Sequence, residues 1–285
     1  MVFRSYVFYT RTMAHYSKEK STKSGLLYWV FGEEKQTPIL LIPGFTGTHK
    51  DVARLANILK EKYKVVIPEF PGWEDASREK STYTVSSYAK IIKEIIDELG
   101  FKNVPLVAHC MGAAVALETA YDYPHSIQKL ILISTPYQDG TWGKVFFLTL
   151  SRLSEKVPAV FRPLFFFWRS RVITTPMSFF VLKTKTMRKK LRIMLGVFTN
   201  QSHQNEHVLE TNWDSLIAYD YQKLTRLKMP IHLLHGEEDI LIPPQQAKQL
   251  VKILPHATFE VIPHAGHLPP VETPETTAVL IEKYL

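Results

Sequence analysis

Three side chains that together could carry out nucleophilic catalysis stand just after strand-like apolar runs. They are Cys110, Asp239 and His267, in that order along the chain. A thiol attacks as its thiolate, a histidine carries the proton, and a carboxylate orients the histidine and stabilises its cation. In open sheets of parallel strands, working residues gather on the loops at the carboxyl ends of the strands. The three side chains are therefore expected to meet at one edge of such a sheet.

The neighbours of Cys110 fit a sharp turn that joins a strand to a helix. Ala108 and Gly112 stand two residues away on either side, where strand and helix backbones nearly touch and only small residues fit. This is the steric pattern of a nucleophile elbow, usually written G-x-S-x-G, which here takes the form A-x-C-x-G. A small buried cysteine at a strand end would have similar neighbours, so the choice depends on the rest of the chain.

Apolar runs that predict buried strands alternate with amphipathic patterns that predict helices. The strand-like runs are residues 26–31, 38–42, 63–67, 106–108, 130–133, 230–234 and 258–262. The helical patterns are residues 51–62, 85–99, 112–123, 245–254 and 273–285. This alternation predicts βαβ units, and hence a parallel sheet with helices on both faces. It stops after Pro136 and resumes at Pro230, so a basic, aromatic segment of helical pattern is inserted between two strands.

Composition and charge limit the class of protein. Of the 285 residues, 45% are hydrophobic and 22% charged, as in an ordinary globular protein, and a single cysteine excludes an internal disulfide. Residues 1–13 are rich in aromatic side chains, but Arg4 and Arg11 interrupt them and no small-residue cleavage site follows, so we expect no secretory signal. No uninterrupted apolar run is long enough to span a membrane. We expect a soluble, cytoplasmic protein.

The net charge of +8 is concentrated in the inserted segment. Its basic residues include Arg162, Arg169, Arg171, Lys183, Lys185, Arg188, Lys189, Lys190 and Arg192. Such a cluster can bind nucleic acid or an anionic membrane surface. No nucleic-acid-binding motif accompanies it, so we expect no nucleic-acid partner. Phe, Leu and Met are dense in the same segment, which favours a tunnel for an acyl chain and a peripheral contact with an anionic membrane.

Four stretches in this order carry a resemblance to a known family. They are Ile42-Pro43-Gly44-Phe45-Thr46-Gly47, Ala108-His109-Cys110-Met111-Gly112, His235-Gly236-Glu237-Glu238-Asp239-Ile240-Leu241-Ile242-Pro243 and Ala265-Gly266-His267. Over nearly its whole length the chain resembles the α/β-hydrolase family. The resemblance implies a mostly parallel sheet with helices on both faces and a helical cap inserted after the sixth strand. The core domain would comprise residues 1–136 and 226–285, and the cap residues 137–225.

The resemblance also implies the roles of the site residues. Cys110, Asp239 and His267 would form a catalytic triad, and the backbone N–H groups of Phe45 and Met111 would form the oxyanion hole. Two such donors, aimed at the charge that develops on the substrate oxygen, supply a large part of the electrostatic stabilisation in acyl transfer.

Most of the family has serine at the position of Cys110, and this departure leaves the reaction open. Relatives that look similar here and use cysteine include dienelactone hydrolases and the longer polyhydroxyalkanoate synthases, which are acyltransferases. We expect a hydrolase that cleaves a small-molecule carboxylic ester or thioester with an apolar acyl group through an acyl-cysteine intermediate. The alternatives are an acyltransferase in which Cys110 carries the acyl group, a non-catalytic binder of a small hydrophobic ligand, and an engineered Ser→Cys change.

Other residues compete for these roles. His264 could be the base, and Glu237 or Glu238 could be the acid, but the family motifs favour His267 and Asp239. His109 and His235 are interpreted as a packing residue beside the site and an ordinary strand-end residue. No His, Cys and Asp cluster has metal-ligand spacing, and two glycines three residues apart are too few for a phosphate-binding loop, so neither a metal nor a cofactor is expected. The sequence makes no prediction of the oligomeric state.

Overall fold

The computed structural model describes residues 18–45, 47–72, 83–137, 206–254 and 256–285. The strands are β1 (Lys18–Ser21), β2 (Leu27–Phe31), β3 (Pro38–Ile42), β4 (Lys64–Pro68), β5 (Val104–His109), β6 (Ile127–Ile133), β7 (Ile231–Gly236) and β8 (Ala257–Ile262). The helices are α1 (His49–Leu59), α2 (Val85–Glu98), α3 (Met111–Asp122), α4 (Glu206–Ile217), α5 (Pro244–Val251), α6 (Pro269–Glu272) and α7 (Pro274–Tyr284), with 3₁₀ turns at Pro124–Ser126 and Gln222–Arg226.

The eight strands form one sheet in the order β1-β2-β4-β3-β5-β6-β7-β8. The pairs β1–β2 and β2–β4 are antiparallel, and every other pair is parallel. The predicted fold class, a mostly parallel sheet with helices on both faces, is confirmed. Because the parallel strands run in one direction, the loops after β3, β5, β6, β7 and β8 leave the sheet at one edge.

Alternate residues of the central strands supply two separate cores. In β3, Leu40 and Ile42 pack toward α2 and α3, while Ile39 and Leu41 pack toward α1 and α7. All four side chains are completely buried. Burial of each such side chain contributes about 1.5–3 kcal/mol, so the sheet and its two helical layers form a firm base for the loops at its carboxyl edge.

The first helix begins two residues earlier than its apolar pattern predicts. The Thr48 side chain and the Asp51 carboxylate form a capping box, in which the Thr48 N–H donates to Asp51 Oδ2 at 2.9 Å. This cap satisfies backbone donors that the helix itself leaves unpaired, and it fixes the end of the loop that follows β3.

Strand β5, which leads to Cys110, contains Pro105 at the centre of the sheet. The pairing of β5 with β6 shifts register between Val104 and Leu106, on either side of that proline. A proline has no N–H for the ladder, and such an irregularity is where it fits. Beyond it, the pairing of Leu106 through His109 with β6 is regular and brings the strand to the turn at Cys110.

The predicted cap lies mostly outside the described residues. Of residues 137–225, the structure describes Tyr137 and residues 206–225, so the predicted lid and its boundaries stay predictions. No helix in the described part of the chain is long and apolar enough to cross a membrane.

Candidate active site

The turn between β5 and α3 holds Cys110 in an unusual backbone conformation. Its φ of 50° and ψ of −120° lie in a region that glycine adopts readily and that costs other residues about 1–3 kcal/mol. The Cys110 N–H donates to the carbonyl of Ile133 on β6 at 2.9 Å, and the Cys110 carbonyl accepts from the Ala113 N–H at 2.9 Å. The half-buried cysteine thus stands at the tip of a sharp strand-to-helix turn.

Two glycines let the loop after β3 pack directly against this turn. A Cβ on Gly112 would lie 2.3 Å from the carbonyl oxygen of Pro43, and a Cβ on Gly44 would lie 3.1 Å from Cβ of Cys110. At Gly112 a larger residue would require a shift of the backbone, and at Gly44 it would displace the side chains of His109 and Cys110. The close approach of the Pro43 carbonyl explains why the position two residues after the cysteine must be small.

His267 and Asp239 form a buried pair beside the cysteine. Nδ1 of His267 donates to Oδ2 of Asp239 at 2.9 Å, and the two residues are only 5% and 3% exposed. The Cys110 side chain is close enough to the imidazole to raise the pKa of His267. The structure therefore brings together all three side chains of the predicted triad, from the loops after β5, β7 and β8.

The charges of this group support one another. Burial alone would lower the pKa of His267, but the neighbouring Cys110 side chain and the hydrogen bond to Asp239 raise it to about 10. Burial alone would raise the pKa of Asp239, but hydrogen bonds from His235 and His267 hold it well below its usual range. At neutral pH the carboxylate is ionised and the imidazole beside it is a proton donor.

The residues predicted to form the oxyanion hole flank the cysteine from two loops. Met111 is the first residue of α3, and Phe45 follows β3 in the loop that packs on the elbow. Within the described ranges, neither backbone N–H donates to a protein acceptor. A free N–H at the start of a helix, aided by the helix dipole, is suited to an oxygen that gains negative charge.

The competing residues lie away from the pair. His264, Glu237 and Glu238 are exposed, and the His264 backbone N–H is 3.3 Å from Glu237 Oε2. The acid and base positions beside Cys110 are instead occupied by Asp239 and His267. Among the described residues, no group of three or more His, Cys, Asp or Glu side chains is arranged to hold a metal ion.

Two other histidines make closer contacts with the site than the sequence predicted. Nε2 of His109 is 2.7 Å from the carbonyl oxygen of His267, and burial together with the charge of His267 lowers the pKa of His109 to about 3. His235, interpreted above as an ordinary strand-end residue, is completely buried with Nε2 3.3 Å from Asp239 Oδ2. The sequence signal for this contact is the spacing, because His235 stands four residues before Asp239 across a tight turn.

The described end of the predicted cap packs on the core near the site. Val208 of α4 touches Gly72, where an added Cβ would be 2.8 Å from it. Nδ2 of Asn212 donates to the Tyr88 hydroxyl at 3.0 Å, and the Trp213 ring lies 5.9 Å from the Phe45 ring. Helix α4 is thereby anchored to α2 and to the loop that carries the Phe45 amide.

Comparison with known proteins agrees with this geometry. The sequence profile described as the alpha/beta hydrolase fold matches residues 37–274. The chain belongs to the α/β-hydrolase family. This α/β hydrolase is 25% identical over 243 residues to the putative carbamate hydrolase RutD of Cronobacter turicensis, covering 83% of this chain and 86% of the relative. It is 23% identical over 260 residues to Lipase 1 of Psychrobacter immobilis, covering 89% and 78%.

Among solved structures, this α/β hydrolase is similar to a thermophilic esterase from Thermogutta terrifontis. The TM-score is 0.76 with 22% identity, over 94% of this chain and 97% of that structure. At this identity the likeness concerns the fold.

Proposed function

We propose that this α/β hydrolase cleaves carboxylic esters or thioesters through an acyl-cysteine intermediate formed on Cys110. The observation that carries the proposal is the grouping of Cys110 with the hydrogen-bonded pair of His267 and Asp239 at one edge of the sheet. A thiol beside an imidazole that has a raised pKa and is hydrogen-bonded to a buried carboxylate provides the groups that nucleophilic acyl transfer requires.

The first half of the reaction forms the intermediate. The Cys110 thiolate attacks the carbonyl carbon of the substrate, a C–S bond forms, and the carbonyl oxygen becomes an oxyanion. The Phe45 and Met111 N–H groups would donate to that oxygen. The C–O or C–S bond to the leaving group then breaks, and the His267 imidazolium gives its proton to the departing alcohol or thiol.

The second half releases the acid. Neutral His267 takes a proton from water, the resulting hydroxide attacks the thioester, and the C–S bond breaks to return the thiolate and the imidazolium. Asp239 keeps the proton of His267 on Nδ1 and stabilises the imidazolium each time it forms. Attack by an alcohol or thiol in place of water would give the acyltransferase reaction instead.

Apolar side chains near the site favour an apolar acyl group. Ile240 and Leu241, which directly follow Asp239, are 53% and 54% exposed, and Trp213 beside Phe45 is 42% exposed. Each methylene of a substrate that is buried against such surface contributes about 0.8 kcal/mol. We expect kcat/KM for p-nitrophenyl esters to rise several-fold per pair of carbons from acetate to octanoate, and flat or falling values would contradict an apolar acyl pocket.

The intermediate is tested by mass spectrometry. After brief acidic quenching of a reaction with p-nitrophenyl butyrate, wild-type protein should carry one butyryl group on the peptide that contains Cys110. Cys110→Ala should fold, form no adduct and lose turnover. Full activity in that variant would overturn the proposal. Cys110→Ser is the matched control, and a rate well above wild type would indicate a site built for serine.

We also propose a peripheral contact with an anionic membrane, which is predicted from the basic residues of the inserted segment. Vesicles that contain phosphatidylglycerol should recruit the protein more than neutral vesicles, and added salt should weaken the recruitment. Equal binding to both kinds of vesicle would leave those residues as a solvated surface.

A further inference from the structure

The carboxylate of Asp239 has a partner at every acceptor position. Oδ1 accepts the backbone N–H groups of Leu241 and Ile242 at 3.0 and 2.9 Å. Oδ2 accepts Nδ1 of His267 at 2.9 Å, and Nε2 of His235 stands 3.3 Å from the same oxygen. Two of the four contacts come from the tight turn after β7, and two come from histidines.

The surroundings of His235 determine which of its nitrogens carries the hydrogen. Nε2 contacts the carbonyl oxygen of Ile242 at 2.6 Å as well as the Asp239 carboxylate, and both of these groups can only accept. Nε2 must therefore be the donor. Nδ1 is buried and has no hydrogen-bond partner within the described residues, so a hydrogen placed there would be an unsatisfied donor in the interior.

We propose that His235 is a positioning residue, whose Nε2–H holds the Asp239 carboxylate and the carbonyl of Ile242 together so that Oδ2 stays aimed at His267. The proposal rests on the proposed function, because it assigns His235 an effect on the acid and base of that reaction. The hydrogen on Nε2 donates to the Ile242 carbonyl at 2.6 Å and lies beside Oδ2, with Nε2 at 3.3 Å, so it opposes rotation of the carboxylate away from the imidazole. The lowered pKa of Asp239, to which the His235 hydrogen bond contributes, agrees with this role.

Removal of this donor should weaken the support of His267. A less firmly held carboxylate stabilises the imidazolium less, so the pKa of His267, which is about 10, should fall. Among the described residues, the other titratable groups that interact with His267 are Cys110 and His109, and Tyr221 interacts with Cys110. Burial lowers the pKa of His109 to about 3 and raises that of Tyr221 above its usual range, so neither produces a transition near that of His267.

The first experiment compares three variants with p-nitrophenyl acetate. His235→Phe keeps the ring volume without a donor, His235→Gln places an amide donor near the position of Nε2, and His232→Phe is the control on the same strand. His232 contacts Thr258 and stacks on Tyr284, away from Asp239. We expect kcat to fall about tenfold or more in His235→Phe with little change in KM, partial recovery in His235→Gln, and no loss in the control. Equal loss in the Phe and Gln variants would overturn the proposal.

The second experiment measures a property that simple loss of packing would not move. The rate at which iodoacetamide alkylates Cys110, followed against pH, reports the alkaline transition of the neighbouring His267 without any ester turnover. That transition should move to lower pH in His235→Phe and stay in place in His232→Phe. An unmoved transition would overturn the proposal even if kcat fell.

A third measurement needs no variant that has to fold. Nitrogen-15 NMR of histidine-labelled wild-type protein should show the His235 hydrogen on Nε2, and a hydrogen on Nδ1 would overturn the proposal. If the wild type hydrolysed no ester at all, the proposed function would fail, whereas the NMR and alkylation results would still decide the role of His235.

Discussion

Two buried histidine–carboxylate pairs stand at the carboxyl edge of the sheet, and they differ in what surrounds them. In the first, Asp239 has partners on both oxygens and His267 contacts Cys110. In the second, Nδ1 of His49 is 2.7 Å from Oε2 of Glu69, just after β4. The two pairs have similar distances and similar burial, so neither property distinguishes the pair that we propose to be catalytic from the other.

The two pairs differ in the group that each histidine contacts besides its carboxylate. The His49 ring stacks on Trp29 with the ring centroids 3.7 Å apart, and Oε1 of Glu69 has no hydrogen-bond partner in the described part of the chain. An indole face offers no acceptor, donor or nucleophile in the plane of the imidazole. A histidine paired with a carboxylate becomes useful for acyl transfer only where its free side meets a nucleophile, and the His49–Glu69 pair instead ties α1 to the end of β4.

An isosteric change in each carboxylate tests the difference between the two pairs most directly. Asp239→Asn should lower kcat by about a thousandfold or more, because the amide favours the wrong tautomer of His267. Glu69→Gln, the matched change in the other pair, should lower kcat less than about tenfold, since it touches no reacting group. Steady-state kinetics with one activated ester measure both. Comparable losses would mean that Glu69 takes part in the reaction.

The His49–Glu69 pair should matter for the stability of the fold, in contrast to an exposed glutamate on the surface. Glu69→Ala should lower the free energy of unfolding by about 2–4 kcal/mol, because it leaves a cavity and an unpaired buried His49. Glu61→Ala, at an exposed position, should change it by less than about 0.5 kcal/mol. Urea unfolding followed by circular dichroism measures both values, and a negligible effect at Glu69 would show that the pair is not needed to hold α1.

Loss of the Cys110 thiol should change the pKa of His267. The Cys110 side chain contributes to the raised pKa of His267, about 10, so Cys110→Ala should lower that pKa. A histidine whose pKa is raised by folding stabilises the fold fully below its ordinary value of 6.5 and loses that contribution as the pH rises through its folded value. The variant should therefore lose stability at a lower pH than wild type. NMR titration of the His267 ring signals measures the shift, and an unchanged titration in Cys110→Ala would contradict the interaction.

The smallest effect is expected at the exposed histidine near the site. His264→Ala should change kcat less than about twofold, because its side chain is exposed and only its backbone N–H contacts Glu237. His267→Ala should lose activity by orders of magnitude. An inverse result in steady-state kinetics would mean that the base has been assigned to the wrong residue.

Most of the fold could be predicted because the parallel strands are continuous apolar runs. The run in β3, for example, is buried on both faces, which only a strand between two layers of helices requires. Strand β1 could not be found in this way. Its sequence is Lys-Glu-Lys-Ser, and a polar edge strand is recognised only by its pairing with β2.

The candidate site divides along similar lines. Cys110, Asp239 and His267 could be predicted because strand ends, small neighbours and chain order are properties of the sequence. The contact of His235 with Asp239 could not, because it depends on how the turn from Gly236 to Ile242 folds back on its own strand. The lone pair left without a partner on His235 Nδ1 is likewise a property of the packed interior.

The backbone conformation of Cys110 has a consequence for the evolution of this chain. A φ of 50° with a ψ of −120° suits glycine, so a glycine at position 110 would relieve about 1–3 kcal/mol of strain while removing the thiol. Selection for thermal resistance and selection for catalysis therefore pull this position in opposite directions. In a mutant library passed through repeated heating with no requirement for activity, glycine should accumulate at position 110, and the same library under selection for ester hydrolysis should retain cysteine.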